Sequence, residues 1–310
     1  DLRAEAQVGD MAEMLRAAGG RQPACAGGRM SAPWWREYWR EGDGMGSIAG
    51  NRFPEARATT PTALPDVVRT AQWTGIPAAD QRAFAREVVE SGQILFFPRL
   101  PFETTERERE LFDPSIVKSI KKKSAKGRPR VIYLADKDKL LKTGIEDEAR
   151  ETLRVMIARY GKWARRLVLD NFPEYGPHLE WGPTSFRPNS RALQRVHVDA
   201  FFVMPTQGRR VLRVFTNVNP AGVPRCWDVS ETFETFAPRH AHRLKPDTLA
   251  GRAVRRAMAM AHITMGRQTP YDHAMWQMRN FVKEDADFVD IRAPETVAFP
   301  AGSTWMCYTD

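Results

Sequence analysis

The spacing of apolar residues predicts helices in the part of the chain that follows about residue 66. In "PAADQRAFAREVVESG", apolar residues recur at helical spacing as far as Val89, and Gly92 provides a C-terminal stop. Residues 146–171 carry the longest such pattern, with apolar side chains on one face and arginines largely off it. We therefore expect a long helix that packs on a sheet and presents a basic outer face, ended by Pro173.

Shorter signals lie on either side of that helix. "QILFFPRL" predicts an apolar strand broken by Pro98, and "TERERELF" places Glu108 three residues after Thr105, which is a capping-box pattern. A further helix is expected over residues 246–261. Each of these predictions rests on local pattern alone.

The second half of the chain has a β-rich pattern. "RVHVDAFFVM" and "RRVLRVFTNVN" predict two strands joined by "PTQG", with Gly208 supplying the turn. "QTPYDHAMWQM" begins a mixed segment, and "TVAFPAGSTWMCYTD" indicates a strand, a Pro-x-Gly turn and a second strand. Because helices come first and strands later, we expect a mainly β domain, a sandwich or jelly roll with helical support, and not alternating βαβ units.

The pattern divides the chain into two parts. Residues 1–65 are rich in Ala, Gly, Arg and Pro with little periodicity, and we interpret them as poorly structured or extraneous. Residues 66–310 form the predicted domain, with helical support over 78–173 and strands mainly over 184–310.

A histidine and an aspartate interrupt the first predicted strand of the β-rich half. Side chains at positions i and i+2 of a strand point to the same face, so His197 and Asp199 share a face opposite Val196 and Val198. A charge that faces an interior needs a partner or a metal. One His and one carboxylate, with a second His from elsewhere, form the facial triad of non-haem Fe(II) oxygenases. A surface pair or a hydrogen-bonded core pair would show the same sequence.

Composition and charge narrow the classes of partner. The chain is 42% apolar with a formal net charge of +9, which favours an anionic partner: nucleic acid, an anionic membrane surface or an acidic small molecule. The sequence shows no nucleic-acid-binding signature, and no apolar run approaches the ~20 residues of a membrane-spanning helix. Three scattered cysteines without metal-type spacing predict a reducing, cytoplasmic location.

Six blocks occur in an order that resembles a known family. They are "ESGQILFFPRL", "TSFRP", "RVHVDAFF", "PTQGRRVLRVFTNVNP", "YDHAMWQM" and "FPAGSTWMCYTD", spread over roughly residues 85 to 310. Together they resemble the 3-deoxy-D-manno-oct-2-ulosonic acid (Kdo) hydroxylases, which are Fe(II)- and 2-oxoglutarate-dependent dioxygenases. The resemblance implies a double-stranded β-helix, which is a cupin-like jelly-roll barrel, and a substrate in the inner core of lipopolysaccharide.

The resemblance also implies roles for particular residues. His197 and Asp199 match the metal-binding pair of the family, so they are the predicted Fe(II) ligands, with open positions left for 2-oxoglutarate and O2. Arginines that could grip the carboxylates of 2-oxoglutarate and Kdo are Arg187, Arg195, Arg209, Arg210 and Arg213, of which Arg187 and Arg213 are ranked first. The alternative for Arg213 is an outward-pointing arginine on an exposed strand face.

The third iron ligand is a separate question. His273 lies 74 residues after Asp199 (273 − 199) and could serve, but the family places its distal His after the strand that contains "GSTW". We therefore interpret His273 as a structural residue or one that supports the ligands. We expect the reading frame to continue past Asp310 with a His within five to ten residues and a basic residue some ten further on. On this expectation the barrel of residues 66–310 is incomplete at its C-terminus, and the 310-residue chain alone is inactive.

The resemblance finally predicts partners and location. The expected substrate is an anionic glycolipid, Kdo-lipid A, met in the cytoplasm at the inner membrane, and the basic helix face and the Lys121–Lys123 run are candidates for membrane contact. Two rivals stay open: a 2-oxoglutarate dioxygenase with another substrate, and a non-catalytic jelly-roll module that binds an anionic glycan. A binding module does not need the pair of His197 and Asp199, whereas a dioxygenase does.

Overall fold

The computed structural model describes five stretches of the 310-residue chain. These are residues 64–113, 116, 130–188, 196–284 and 295–310. The predictions for residues 1–63, for the Lys121–Lys123 run and for Arg195 lie outside the described residues.

Helices and strands alternate irregularly along the described chain. The helices are α1 (Ala79–Glu90), α2 (Glu106–Glu110), α3 (Asp147–Asn171), α4 (Phe233–His240), α5 (Leu249–Met260) and α6 (Pro270–Glu284), with short 3-10 turns at Pro173–His178 and Ala241–Arg243. The strands are β1 (Val68–Thr70), β2 (Ile94–Phe97), β3 (Val131–Leu134), β4 (Lys139–Leu141), β5 (Thr184–Phe186), β6 (Leu212–Thr216), β7 (Arg225–Val229), β8 (Glu295–Phe299) and β9 (Thr304–Tyr308).

The strands pair in three sheets. The four-stranded sheet has the order β1-β2-β9-β6, in which β1 and β2 run parallel and the other neighbours antiparallel. A three-stranded antiparallel sheet has the order β4-β3-β5, and β7 pairs with β8. Strand β9 therefore lies between two strands that are distant in sequence, and it carries the chain to Asp310.

The four-stranded sheet is covered on both faces, and the alternation of its side chains shows how. Phe96 of β2 and Trp305 of β9 pack with Phe299 of β8 on the face that meets the β7-β8 pair. The neighbouring residues Phe97 and Met306 point the other way, against helix α1 and the end of helix α3. Because both faces are buried, β2 and β9 are mostly apolar and do not alternate with polar residues, although β9 begins with the buried Thr304.

The long helix α3 packs on the three-stranded sheet. Leu153, Met156 and Ile157 are buried on its inner face with Val131 of β3. Its charged residues lie elsewhere, which agrees with the amphipathic pattern of the sequence. The predicted basic face is partly neutralised, because three of the arginines of α3 pair with acids: Arg154 with Asp138 and Glu151, Arg159 with Glu108, and Arg166 with Asp170.

Several predictions from local pattern are confirmed. Helices lie at 79–90, 147–171 and 249–260, close to the expected bounds, and Gly92 follows the first with a φ of +76°. Thr105 and Glu108 form the predicted capping box, in which the Thr105 hydroxyl accepts from the Glu108 N–H. The final segment is a strand, a turn at Gly302 and a second strand, as expected, although β8 and β9 join different sheets.

Three predictions are wrong in part. Residues 196–203 do not form a regular strand, so the hairpin around Gly208 is absent from the described residues, while the turn itself exists with Gly208 at φ +86°. The segment after Gln268 begins with the 15-residue helix α6, which is more regular than the mixed pattern expected there. The described residues contain more helix than strand, so this part of the chain is not mainly β, and its sheets do not close into a barrel, so the jelly roll stays a prediction.

Candidate metal site

His197 and Asp199 lie on one face of an extended segment. Although residues 196–200 are not part of a sheet, Val196, Val198 and Ala200 all pack with helices α4 and α6. This anchoring turns the two polar residues to the opposite side, where His197 Nε2 lies 3.8 Å from Asp199 Oδ1. The predicted alternation of the two faces is therefore confirmed, without the predicted strand.

The carboxylate of Asp199 is held by the end of the four-stranded sheet. Arg213 Nη2 lies 2.8 Å from Asp199 Oδ2, and Arg213 Nε donates to Thr309 Oγ1 at 3.1 Å. The backbone N–H of Asp199 donates to the carbonyl of Thr309 at 2.6 Å. Arg213 alternates with Leu212 and Val214 of β6, which pack toward α1, so its side chain points away from that core and toward Asp199.

A small cleft opens beside Asp199. Its lining includes Phe201, Thr206, Tyr271, Met275 and Asp310. The Asp310 carboxylate is buried and accepts from the Tyr271 hydroxyl at 2.8 Å and from the backbone N–H of Val211 at 3.0 Å. Burial, followed by the negative charge of Asp310, raises the pKa of Tyr271, so this phenol remains a neutral hydrogen-bond donor. The cleft thus has a polar wall next to the His–Asp pair.

The donor set of the pair fits a divalent transition metal. Imidazole nitrogen and carboxylate oxygen bind an ion such as Zn²⁺ at about 2.0 to 2.2 Å, so two ligand atoms of one ion lie at most about 4.4 Å apart. The distance of 3.8 Å between His197 Nε2 and Asp199 Oδ1 meets this limit. Within the stretches described above, no group of three His, Cys, Asp or Glu side chains is placed to hold a metal. The third ligand stays a prediction.

Two other residue types that bind metals occur at His273 and Cys307. His273 lies on α6 next to Arg255 and Asp247 of the α5 region, and burial followed by the charge of Arg255 lowers its pKa. This position agrees with a structural role for His273. Cys307 lies opposite Arg213 in the sheet, and burial raises the pKa of its thiol to about 12.

The predicted arginines are spread over the molecule. Arg213 lies in contact with the pair, and Arg210 lies close by, with Nε 3.5 Å from Asp310 Oδ2 and its guanidinium over the ring of Tyr308 at 4.2 Å. Arg209 pairs with Glu180. Arg187 follows β5 in the other sheet and is not among the residues that line the cleft.

Sequence reasoning missed three residues that hold the site. Thr309, Asp310 and Tyr271 stand in blocks that carry the family resemblance, but nothing in their local pattern assigns them a role. Thr309 and Asp310 reach Asp199 and Arg210 only because β9 pairs with β6. Tyr271 meets Asp310 because helix α6 begins beside the cleft.

A histidine and an aspartate that share one face beside a cleft match two of the three ligands that the class of non-haem Fe(II) oxygenases uses. The description of the family model that matches residues 72–310 is 3-deoxy-D-manno-oct-2-ulosonic acid (Kdo) hydroxylase. The chain therefore belongs to the Kdo hydroxylase family.

Solved structures of one family member are similar to this chain. One is the Kdo hydroxylase KdoO, a non-haem Fe(II) α-ketoglutarate-dependent dioxygenase, in complex with α-ketoglutarate and Fe(III). It is 30% identical to this chain, with a TM-score of 0.68, and the match covers 78% of this chain and 82% of that chain. The apo structure of KdoO is also 30% identical, with a TM-score of 0.69; the match covers 78% of this chain and 82% of that chain. The complex of KdoO with succinate and Fe(III) has the same identity of 30% and a TM-score of 0.69; the match covers 79% of this chain and 82% of that chain. No curated protein sequence matches the chain.

Proposed function

We propose that this protein is an Fe(II)- and 2-oxoglutarate-dependent hydroxylase of the Kdo sugar in lipid A-bearing precursors of lipopolysaccharide. The observation that carries the proposal is the pair of His197 and Asp199, 3.8 Å apart beside a cleft, in a chain of the Kdo hydroxylase family. Bound iron, with O2 and 2-oxoglutarate as co-substrates, supplies the oxidising power that places a hydroxyl group on a sugar carbon.

The residues around the pair have distinct tasks in this proposal. His197 and Asp199 bind Fe(II), and the packing of Val196 and Val198 keeps their backbone in place. Arg213 orients the Asp199 carboxylate by the contact of 2.8 Å, as the partners of metal ligands commonly do. A ligand that is held in advance loses less entropy when the metal binds.

Arginines also suit the carboxylates of the co-substrate and the sugar. A guanidinium carries five N–H donors, so the contacts of Arg213 with Asp199 and Thr309 leave it capacity for a carboxylate of 2-oxoglutarate. We assign Arg187 the same kind of role at a second carboxylate, on the strength of the family resemblance. Arg210 stands at the polar wall of the cleft through its contact with Asp310.

We place the reaction on the cytoplasmic side of the inner membrane, with peripheral contact. A net charge of +9 suits a phosphorylated, carboxylated glycolipid at an anionic surface. None of the helices in the described part of the chain combines the length and the hydropathy that crossing a membrane requires.

The proposal is tested by succinate release from the full-length protein with Fe(II), 2-oxoglutarate and a Kdo-lipid A precursor. We expect succinate to form in proportion to a product that has gained one oxygen atom, and the same lipid without Kdo to give neither. Succinate formed equally with both lipids would assign the protein another substrate. Binding of the Kdo lipid without any succinate would identify a glycan-binding module.

The role of Arg213 gives a prediction for metal affinity. Replacing Arg213 with methionine removes the charged partner of Asp199 and preserves much of the side-chain volume. We expect the affinity for Co(II), used as a probe for Fe(II), to fall by roughly 10- to 100-fold, as is usual when a partner of a metal ligand is lost. Calorimetric titration of the metal measures this change.

A matched control is Arg209→Met, which removes a neighbouring arginine that pairs with Glu180 outside the site. We expect its Co(II) affinity to equal that of the unmodified protein. Equal losses in both variants would mean that total charge matters and that Arg213 does not orient Asp199.

A further inference from the structure

Helix α5 and the turn after it expose a cluster of apolar side chains. Eleven large apolar residues are exposed among the described residues, and five of them fall within residues 249–265. Their exposed fractions are Leu249 80%, Val254 59%, Met260 68%, Ile263 52% and Met265 52%. Single exposed apolar residues are ordinary, whereas a cluster of this kind marks an interaction surface. We call these five residues the apolar face.

The inner side of the same helix is charged. Arg255 is only 8% exposed and pairs with Asp247, which also contacts Arg252 at 3.0 Å. His273 of α6 lies beside this group. A buried charge is costly without its partner, so α5 cannot turn its apolar side inward without separating Arg255 from Asp247. The ion pair therefore fixes the helix with its apolar side outward.

The apolar face is joined to the segment that carries the candidate metal pair. The Met265 N–H donates to the Val203 carbonyl at 2.7 Å, and the Gln268 amide donates to the Phe202 carbonyl at 2.6 Å. Residue Thr206 of the same loop lines the cleft beside Asp199. The apolar face is thus tied to the loop that lines the cleft.

The charge around the apolar face selects an anionic partner. Residues 243–267 contain six basic residues and one acid, a net charge of +5 (6 − 1), and that acid is Asp247, already paired with Arg255. Arg256 and Arg267 are exposed next to the apolar side chains. By contrast, three of the five arginines of α3 are paired with acids, which leaves α5 as the better candidate for contact with an anionic surface.

We propose that the apolar face inserts into an anionic lipid surface, with Arg256 and Arg267 at the level of the headgroups. An apolar side bordered by arginine is what helices lying in the plane of a membrane interface show. This inference rests on the proposed function, because it gives a lipid-linked sugar a short path from the membrane to the cleft. It also adds helix α5 to the two candidates for membrane contact that the sequence offered, helix α3 and the Lys121–Lys123 run, of which the second lies outside the described residues.

Flotation with lipid vesicles tests the proposal on the full-length protein. The vesicles are phosphatidylethanolamine with phosphatidylglycerol, or phosphatidylcholine alone as the neutral comparison. We expect the protein to float with the anionic vesicles, and Met260→Ser to lower its partition coefficient by about tenfold, since the methionine side chain would no longer be buried in lipid. Added salt should reduce the binding of the unmodified protein to anionic vesicles, and it should reduce the binding of Arg256→Gln less.

The matched control is Ile76→Ser, at a residue that is as exposed as Met260, with both at 68%. It should float like the unmodified protein, and equal melting temperatures verify that both variants fold. In Met260→Trp, the indole fluorescence should shift to shorter wavelength with anionic vesicles only. Equal flotation of Met260→Ser and Ile76→Ser would overturn the proposal. The proposal would also be overturned if Met260→Ser left vesicle binding unchanged but abolished self-association or the binding of a protein partner.

The rate of succinate formation distinguishes a failure of this inference from a failure of the proposed function. With a water-soluble substrate that contains Kdo, the Met260→Ser variant should form succinate at the same rate as the unmodified protein. If the unmodified protein forms no succinate with any Kdo acceptor, the proposed function fails, and the vesicle measurements still decide whether the apolar face binds lipid.

Discussion

Replacing His197 or Asp199 with alanine is expected to remove tight metal binding and with it the formation of succinate. Loss of a residue that only orients a ligand costs about 10- to 100-fold in affinity, so loss of a ligand should cost more than about 100-fold. The fold should persist, because both side chains are partly exposed, at 31% and 20%, and neither belongs to the buried apolar clusters. Elemental analysis and Co(II) titration measure the metal, and circular dichroism measures the fold.

Two histidine variants serve as controls for that experiment. His178→Ala changes an exposed residue at the end of a 3-10 turn, and His273→Ala changes a residue beside Arg255. Both should retain metal affinity. Unchanged iron content in both the His197 and Asp199 variants would end the assignment of the pair. Loss of metal in His273→Ala to the same degree would make His273 the third ligand.

The second large effect is expected in the core between the four-stranded sheet and the β7-β8 pair. Trp305 is 2% exposed, and its ring stacks on Phe299 at 4.1 Å and meets Trp227 edge-on at 5.3 Å. Trp305→Ala should lower the free energy of unfolding by roughly 3–5 kcal/mol, because it removes a large buried side chain and leaves a cavity. Denaturant unfolding followed by circular dichroism measures the loss.

A conservative variant at the same position separates packing from polarity. The indole N–H of Trp305 has no hydrogen-bond partner among the described residues, so Trp305→Phe breaks no hydrogen bond within that part of the chain and keeps an aromatic ring. We expect Trp305→Phe to be much less destabilising than Trp305→Ala. Equal losses would show that the size of the indole, and not the presence of an aromatic ring, is what this core requires.

The Trp305 variants also test how the core supports the metal site. Strand β9 leads from Trp305 to Thr309, whose hydroxyl contacts Arg213. A variant that loosens β9 should therefore weaken metal binding in proportion to its loss of stability. His197→Ala should instead remove metal binding and leave the free energy of unfolding unchanged.

Much of the local structure could be predicted from the sequence, because local patterns depend on the chain's own periodicity. The helix at 147–171 follows from apolar residues at helical spacing, and the capping box from Thr105 and Glu108. The common face of His197 and Asp199 follows from the alternation of an extended backbone, which holds even without a sheet. The family, its Fe(II) and its 2-oxoglutarate came from resemblance over several blocks.

Other features could not be predicted, because they depend on residues far apart in the chain. The predicted strand around Val198 lacks a sheet partner and packs instead against α4 and α6, since apolar burial can be satisfied by helices as well as by strands. The partition of β8 and β9 into different sheets was equally hidden, because the turn at Gly302 suits either arrangement.

The sequence by itself determined which residues can do chemistry and which way they face along a short segment. It supplied the imidazole of His197 and the carboxylate of Asp199, and it placed them on one side of the backbone. Only the tertiary structure decided what meets them. The register of β6 with β9 brings Arg213 and Thr309 to Asp199, and the buried pair of Arg255 and Asp247 turns the apolar side of α5 outward. The physical reason is that periodicity is local, whereas the partner of a buried charge is chosen by the packing of the whole chain.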